Sequence, residues 1–380
     1  MPVYLDNNAT TPLAPQVREL MFRYFDEEYG NAASRTHEFG LRAKQAVQRA
    51  RVEVAAVVAA DPAEVVFTSG ATEANNLAIL GLAPHGEAQN RRHLITTTIE
   101  HKAVLEPIGE LEARGFEVTY VPVDASGRVR SKDVLSALRP DTLLVSVMQA
   151  NNETGVLQPI AEIAGGLTSH DAHFHVDAAQ GFGKSIAELK SARVDLISIS
   201  AHKIYGPKGV GALVARRRQG QRAPLTPLMY GGGHEMGLRP GTLPVPLIVG
   251  FGAAAALAHH EHSSRQAACE MHRAAALAAF APLGAVLIGD QAHVMPHVLM
   301  AAFPGVDSEA LMLAAKDVAA MSNGSACTSA NYAPSHVLTA MGLPDDVIEG
   351  AVRLSWSHLG EAPPWRELAD RVADLGLVES

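Results

Sequence analysis

The chain has 380 residues, 47% of them hydrophobic and 19% charged, which is enough apolar material for a large core and too much for a disordered protein. Its 31 basic and 40 acidic side chains leave a formal charge of −9, which disfavours direct binding to nucleic acid. Two cysteines exclude a disulfide framework and an all-cysteine zinc site, and the start, Met1-Pro-Val-Tyr-Leu-Asp, lacks the basic and apolar regions of a secretory signal.

Taken in chain order, apolar β-branched runs of strand length alternate with helical patterns. Glu64 to Ser69 reads as a strand and Ala71 to Leu82 as a helix. His93 to Thr98 is a strand, His101 to Arg114 a helix, and Phe116 to Val123, Thr142 to Met148, Phe174 to Asp177 and Asp195 to Ser200 are further strands. Gly209 to Arg216 adds one more. Such alternation predicts an α/β protein whose mostly parallel sheet is covered by helices on both faces. After Thr242 a long Ala-rich helical stretch runs to Phe280. Its most lipid-like part, Leu243 to Ala258, is broken by Pro244, Pro246, Gly250 and Gly252, so a core helix is expected, with no membrane partner. Short strands at Ala285 to Ile288, His297 to Phe303 and Val352 to Trp356, and a last helix over Pro364 to Leu375, predict a smaller α+β domain. The expected division is a large domain over 14–260 and a small one made of 1–13 and 261–380. The expected location is cytoplasmic.

Ligands of an open parallel sheet bind beyond the carboxyl ends of its strands, and three predicted strands end in reactive polar residues. Ser69-Gly70-Ala71-Thr72-Glu73 leads into a helix, where outward-pointing amides and the Thr72 hydroxyl make a phosphate seat. His175-Val-Asp177-Ala-Ala-Gln180 ends a buried strand in a carboxylate, which needs a cation or donors: a protonated heterocycle, a metal shared with His175, or merely a helix cap would serve. Ser200-Ala-His202-Lys203 follows another buried strand. A desolvated amine there could form a Schiff base with an aldehyde, whereas Lys208, between Pro207 and Gly209, belongs to an exposed turn. A phosphate seat, a carboxylate and an aldehyde-trapping lysine together describe a pyridoxal 5'-phosphate site.

Nine ordered motifs carry a family resemblance: Tyr4-Leu-Asp-Asn-Asn-Ala-Thr-Thr-Pro12, Ser69-Gly-Ala-Thr-Glu-Ala-Asn-Asn76, Glu100-His-Lys102, Gln149-Ala-Asn-Asn-Glu-Thr-Gly155, His175-Val-Asp-Ala-Ala-Gln180, Ser200-Ala-His-Lys203, Gly231-Gly-Gly-His-Glu235, Arg239-Pro-Gly-Thr242 and Ser322-Asn-Gly-Ser-Ala-Cys-Thr-Ser329. Nearly end to end, the sequence resembles the cysteine desulfurases of the class V aminotransferase group. Its Ser-Ala-Cys-Thr-Ser form is similar to the branch with a long cysteine loop. The resemblance implies a fold-type I architecture with a seven-stranded sheet.

It also implies residue roles. Lys203 would bind the cofactor aldehyde, Asp177 would face its ring nitrogen, Gln180 its phenolic oxygen, and His101 would stack on the ring and move protons. Ala71 through its amide, Thr72, Ser200 and His202 would hold the phosphate, and Thr242 would reach the phosphate of a neighbouring subunit in a homodimer. Asn152 and Arg353 would hold the carboxylate of L-cysteine. Cys327, in a polar setting unlike that of Cys269, would take the sulfur as a persulfide and pass it to an acceptor or scaffold protein, for iron–sulfur assembly, tRNA thiolation or DNA phosphorothioate modification. A class V aminotransferase, a selenocysteine lyase and a non-catalytic binding subunit are the alternatives. Pro240, where the family often has a small polar residue, removes an amide donor. His259-His-Glu-His262 reads as a solvated helix face rather than a metal site.

Overall fold

A computed structural model describes residues 1–323 and 334–376. The chain opens with β1 (Val3–Tyr4) and the helices α1 (Pro15–Asp26) and α2 (Glu38–Val57). The alternating part follows: β2 (Val65–Thr68), α3 (Ala71–Ala88), β3 (His93–Thr97), α4 (Lys102–Ala113), β4 (Glu117–Val121), α5 (Ser131–Ser136), β5 (Thr142–Met148), α6 (Ile160–Gly166), β6 (His173–Asp177), β7 (Leu196–Ser200) and β8 (Gly211–Ala215). These strands form one seven-stranded sheet in the order β2-β8-β7-β6-β5-β3-β4. All run parallel except β8, which is antiparallel to both its neighbours.

Burial explains the sequence texture. All seven residues of β5 and all five of β7 are buried, because helices cover both faces, and the result is an unbroken apolar run rather than an alternating one. Each such Leu, Ile or Val contributes roughly 1.5–3 kcal/mol by leaving water. The edge strand β4 is different. It is half exposed and pairs only with β3, so its ordered part shrinks from the expected Phe116–Val123 to Glu117–Val121.

The Ala-rich stretch is two helices, not one: α7 (Val245–His260) and α8 (His262–Phe280) meet at Glu261. Helix α7 is apolar all round because it lies in the core against α1 and α2. Gly252 there faces Ala50 so closely that an added Cβ would lie 2.5 Å from the Ala50 Cα. Beyond it come β9 (Val286–Leu287), β10 (Val298–Ala302), α9 (Ser308–Ala314), β11 (Ala319–Ala320), α10 (His336–Ala340), α11 (Asp345–Glu349), β12 (Ala351–Ser355) and α12 (Trp365–Gly376). Strand β9 is only two residues of the expected Ala285–Ile288 run. Strands β12, β10 and β9 form an antiparallel sheet, and β1 pairs in parallel with β11. Leu5 joins the core built around Trp356, Trp365 and Phe280, so the first residues of the chain pack with its last third. Among the described residues, no helix is long and apolar enough to cross a membrane.

Candidate active site

Because β2, β3, β5, β6 and β7 are parallel, their carboxyl ends open on one edge of the sheet. A cavity of about 570 Å³ lies there, within the range of about 300–1,000 Å³ typical of small-ligand sites. Ala71, Thr72, His101, Asn152, Asp177, Gln180, Ser200, His202, Lys203 and Arg353 all line it. Thr242 does not, and is exposed. Cys327 lies outside the described residues.

Asp177 ends β6 and is almost wholly buried. The Asn75 side chain donates to its Oδ2 at 2.8 Å and the Ala179 amide to its Oδ1 at 2.9 Å, which gives the buried carboxylate the donors it needs. His175, two residues earlier on the same face, is not a metal ligand. Its Nδ1 and Nε2 meet the Ser146 and Ser198 hydroxyls at 2.8 and 2.9 Å, and burial pushes its pKa down to about 4. No metal-ligating cluster exists among the described residues, the His259–His262 run included.

Lys203 follows β7, and its amine donates to the main-chain carbonyl of Ala9 at 3.0 Å and to that of Asn8. The amide of Gln180 donates to the same Asn8 carbonyl at 3.0 Å, while its Oε1 is buried without a partner among the described residues. His101 caps α4: its Nδ1 accepts from the Ala103 amide at 3.0 Å, so the neutral ring carries its proton on Nε2. Burial first, and the Lys203 charge after it, lower the His101 pKa, although Asp177 pulls the other way. His202 is held through Nδ1 by the Thr10 hydroxyl at 3.1 Å, and burial with the neighbouring lysines brings it down to about 4.

Helix α3 starts at the cavity wall. Its N-cap, Gly70, has no side chain to satisfy the first amides of the helix, which remain available to an anion. Lys208, expected in an exposed turn, is exposed and also stands at the rim. At the opposite end the Arg353 guanidinium, projecting from β12, donates to the Asp6 carboxylate at 2.6 Å and to the Asn152 carbonyl at 3.0 Å. Its Nε is buried with no partner among the described residues. Asp6, Asn8 and Asn75 are site residues to which sequence reasoning gave no role. The only signal was their place in the Asp6-Asn-Asn8 and Asn75-Asn76 motifs.

Comparison with known proteins decides the family. The aminotransferase class-V model matches residues 3–360. The chain belongs to this family, on its cysteine desulfurase branch. It is 50% identical to "Cysteine desulfurase IscS" of Methylococcus capsulatus (strain ATCC 33009 / NCIMB 11132 / Bath), over 93% of this chain and 87% of that one. The crystal structure of DndA from Streptomyces lividans is 50% identical over 93% of this chain and 99% of its own, with a TM-score of 0.82. A structure of SspA in complex with cysteine is 36% identical, covers 94% of this chain and all of its own, and also has a TM-score of 0.82.

The family depends on pyridoxal 5'-phosphate. The residues present fit that group. There is a buried, doubly hydrogen-bonded carboxylate for a protonated ring nitrogen, uncapped helix amides for a phosphate, and an amine lining the same cavity.

Proposed function

We propose that this cavity removes sulfur from L-cysteine, with Lys203 as the amine that binds the cofactor and Cys327 as the thiol that takes the sulfur. The enzyme is a pyridoxal 5'-phosphate-dependent cysteine desulfurase, and it produces L-alanine. The observation that carries the residue assignment is the meeting of Lys203, Asp177, Gln180 and His101 with Arg353 around one cavity.

The cofactor, when bound, supplies an electron sink at its ring, which the Asp177 carboxylate keeps protonated. Ala71, Thr72, Ser200 and His202 hold its phosphate. Arg353, steadied by Asp6 and Asn152, takes the substrate carboxylate through paired hydrogen bonds. The Lys203 Nζ removes the substrate's Cα proton. His101 exchanges a proton with the substrate at Nε2, since its Nδ1 is occupied by the Ala103 amide. The Cys327 thiolate attacks the substrate sulfur, the carbon–sulfur bond breaks, and the electron pair stays with a carbon that takes up a proton to become the alanine methyl group. The products balance as a Cys327 persulfide and L-alanine. The persulfide passes to an acceptor or scaffold protein in the cytoplasm.

Residues 14–260 form the cofactor-binding domain in this reading, and 1–13 with 261–380 the domain that brings Arg353 and Cys327. A homodimer is part of it. Thr242 is exposed away from its own cavity, and Phe22 and Phe25 on α1, Phe39 on α2 and Tyr29 between them stand about half exposed or more, as at an interface. Replacing Cys327 with Ser tests the assignment. Sulfide and alanine production should stop while the cofactor's visible absorbance stays. A Cys327→Ser variant that makes alanine at the normal rate would overturn the role of the thiol.

A further inference from the structure

A second cavity, of about 40 Å³, is lined by Lys184, His297, His358, Arg265, Tyr205 and Cys269 among others. Asn8, which lines the first site, reaches His297 of this second one. Asn8 is buried, its carbonyl accepts from the Gln180 amide and from the Lys203 amine, and its amide nitrogen rests on the Ser355 hydroxyl at 2.9 Å. Its side-chain Nδ2 donates to the Asn152 carbonyl at 3.0 Å, the same carbonyl that steadies Arg353. Its Oδ1 lies 3.1 Å from Nε2 of His297, and that Nε2 lies 3.1 Å from the amine of Lys184.

This arrangement has one proton solution. Turning the Asn8 amide over would set its oxygen against the Asn152 carbonyl, two acceptors with no proton between them. The Asn8 Oδ1 therefore accepts, and the neutral His297 ring carries its proton on Nε2. An ammonium at Lys184 would point its own protons at that N–H, so the contact is satisfied when the amine next to it is uncharged.

We propose that His297, backed by an uncharged Lys184, is a positioning residue of the cofactor site, acting through the side chain of Asn8. The inference rests on the reading above for the roles of Lys203, Gln180 and Arg353. Other observations agree. Lys184 forms no ion pair among the described residues, and burial, with the Lys203 charge behind it and Cys269 acting the other way, brings its pKa down to about 7. Burial, and then the Lys184 charge, lower His297 well below its ordinary value too. The rest of the lining adds no carboxylate: His262 and His358 are imidazoles, burial raises the pKa of Tyr205 and Cys269, and Arg265 has its own carboxylate in Glu261 at 2.9 Å.

The test uses the full-length protein without cysteine. In apoprotein carrying 15N-labelled histidine, the ring signals of His297, assigned by their loss in His297→Gln, should report the tautomer protonated on Nε2 at pH 8. Lys184→Arg, a permanent cation, should weaken pyridoxal phosphate binding to the apoprotein by about tenfold, and Lys184→Met, uncharged and of similar length, by far less. His297→Leu should lose about tenfold in the same assay, and His297→Gln, which keeps a donor, should recover most of it. A His297 ring protonated only on Nδ1, or a Lys184→Arg variant that binds cofactor as the parent does, overturns the proposal. Should His297→Leu fail to fold, the two Lys184 variants, which leave the ring in place, decide. Because none of these readouts needs turnover, a parent protein unable to make alanine from cysteine would sink the desulfurase reading alone.

Discussion

The two ends of the active cavity are built in opposite ways. The cofactor end comes from one source, the carboxyl edge of a sheet whose central strands are buried on both faces, and each reactive side chain sits within four residues of a strand terminus. The substrate end is assembled from Asp6, Asn152 and Arg353, which are 146 or more positions apart in the chain and meet only when the small sheet docks on the large one. One end presents groups waiting for a ligand, such as the uncapped amides of α3. The other holds its arginine already paired with a carboxylate. Rigidity at the cofactor end serves chemistry that needs fixed atoms, while a pre-paired arginine avoids burying a lone charge between substrates.

The sharpest way to break the comparison is at Lys203. Lys203→Ala should lower desulfuration at least about a hundredfold, the lower end of what a proton-transferring side chain contributes, and should abolish borohydride trapping of the cofactor on that peptide. Next in size is the substrate end. Arg353→Lys cannot reach Asp6, the Asn152 carbonyl and a carboxylate together, and KM for cysteine should rise about ten- to a hundredfold while cofactor affinity stays. An unchanged KM would remove Arg353 from substrate binding. Asn75→Ala takes one donor from the buried Asp177 and should weaken cofactor binding by about tenfold, measured by equilibrium titration of the apoprotein.

The smallest effect concerns stability. Burial raises the pKa of Glu100, whose carboxylate accepts from Thr97 and the Met148 amide, from 4.5 to about 8. The folded chain therefore binds more protons than the unfolded one between those values. The contribution of Glu100 to stability is complete below pH 4.5 and is lost as pH rises through about 8. Thermal melts should show Glu100→Gln gaining on the parent protein from pH 5 to pH 8, and a constant difference would contradict this.

The cofactor end was legible in the sequence for the same reason that it is rigid. Asp177, Lys203 and the Ser69–Glu73 turn each sit at the end of an apolar run, and a local pattern suffices to find them. The substrate end was legible only through family resemblance, because nothing near Arg353 signals that Asp6 will reach it. Asn8 and Asn75 were missed because an asparagine in a polar motif reads as a turn until the structure shows what it donates to. The helical stretch expected from Thr242 to Phe280 is helical, but its division into two helices at Glu261 was not read from an alanine-rich composition that looks alike on both sides.

The segment from Val3 to Thr11 spans the seam of the molecule. It pairs with Ala319 and Ala320, reaches Arg353 and Ser355, and supplies the carbonyls that meet Lys203. In synthesis these residues leave the ribosome before Ala319, Ala320, Arg353 and Ser355, and must wait until those partners exist. The carbonyls that meet the reactive amine are anchored from their other side by β11 and β12, so a nascent chain short of those strands lacks a finished pocket in which to capture a costly vitamin.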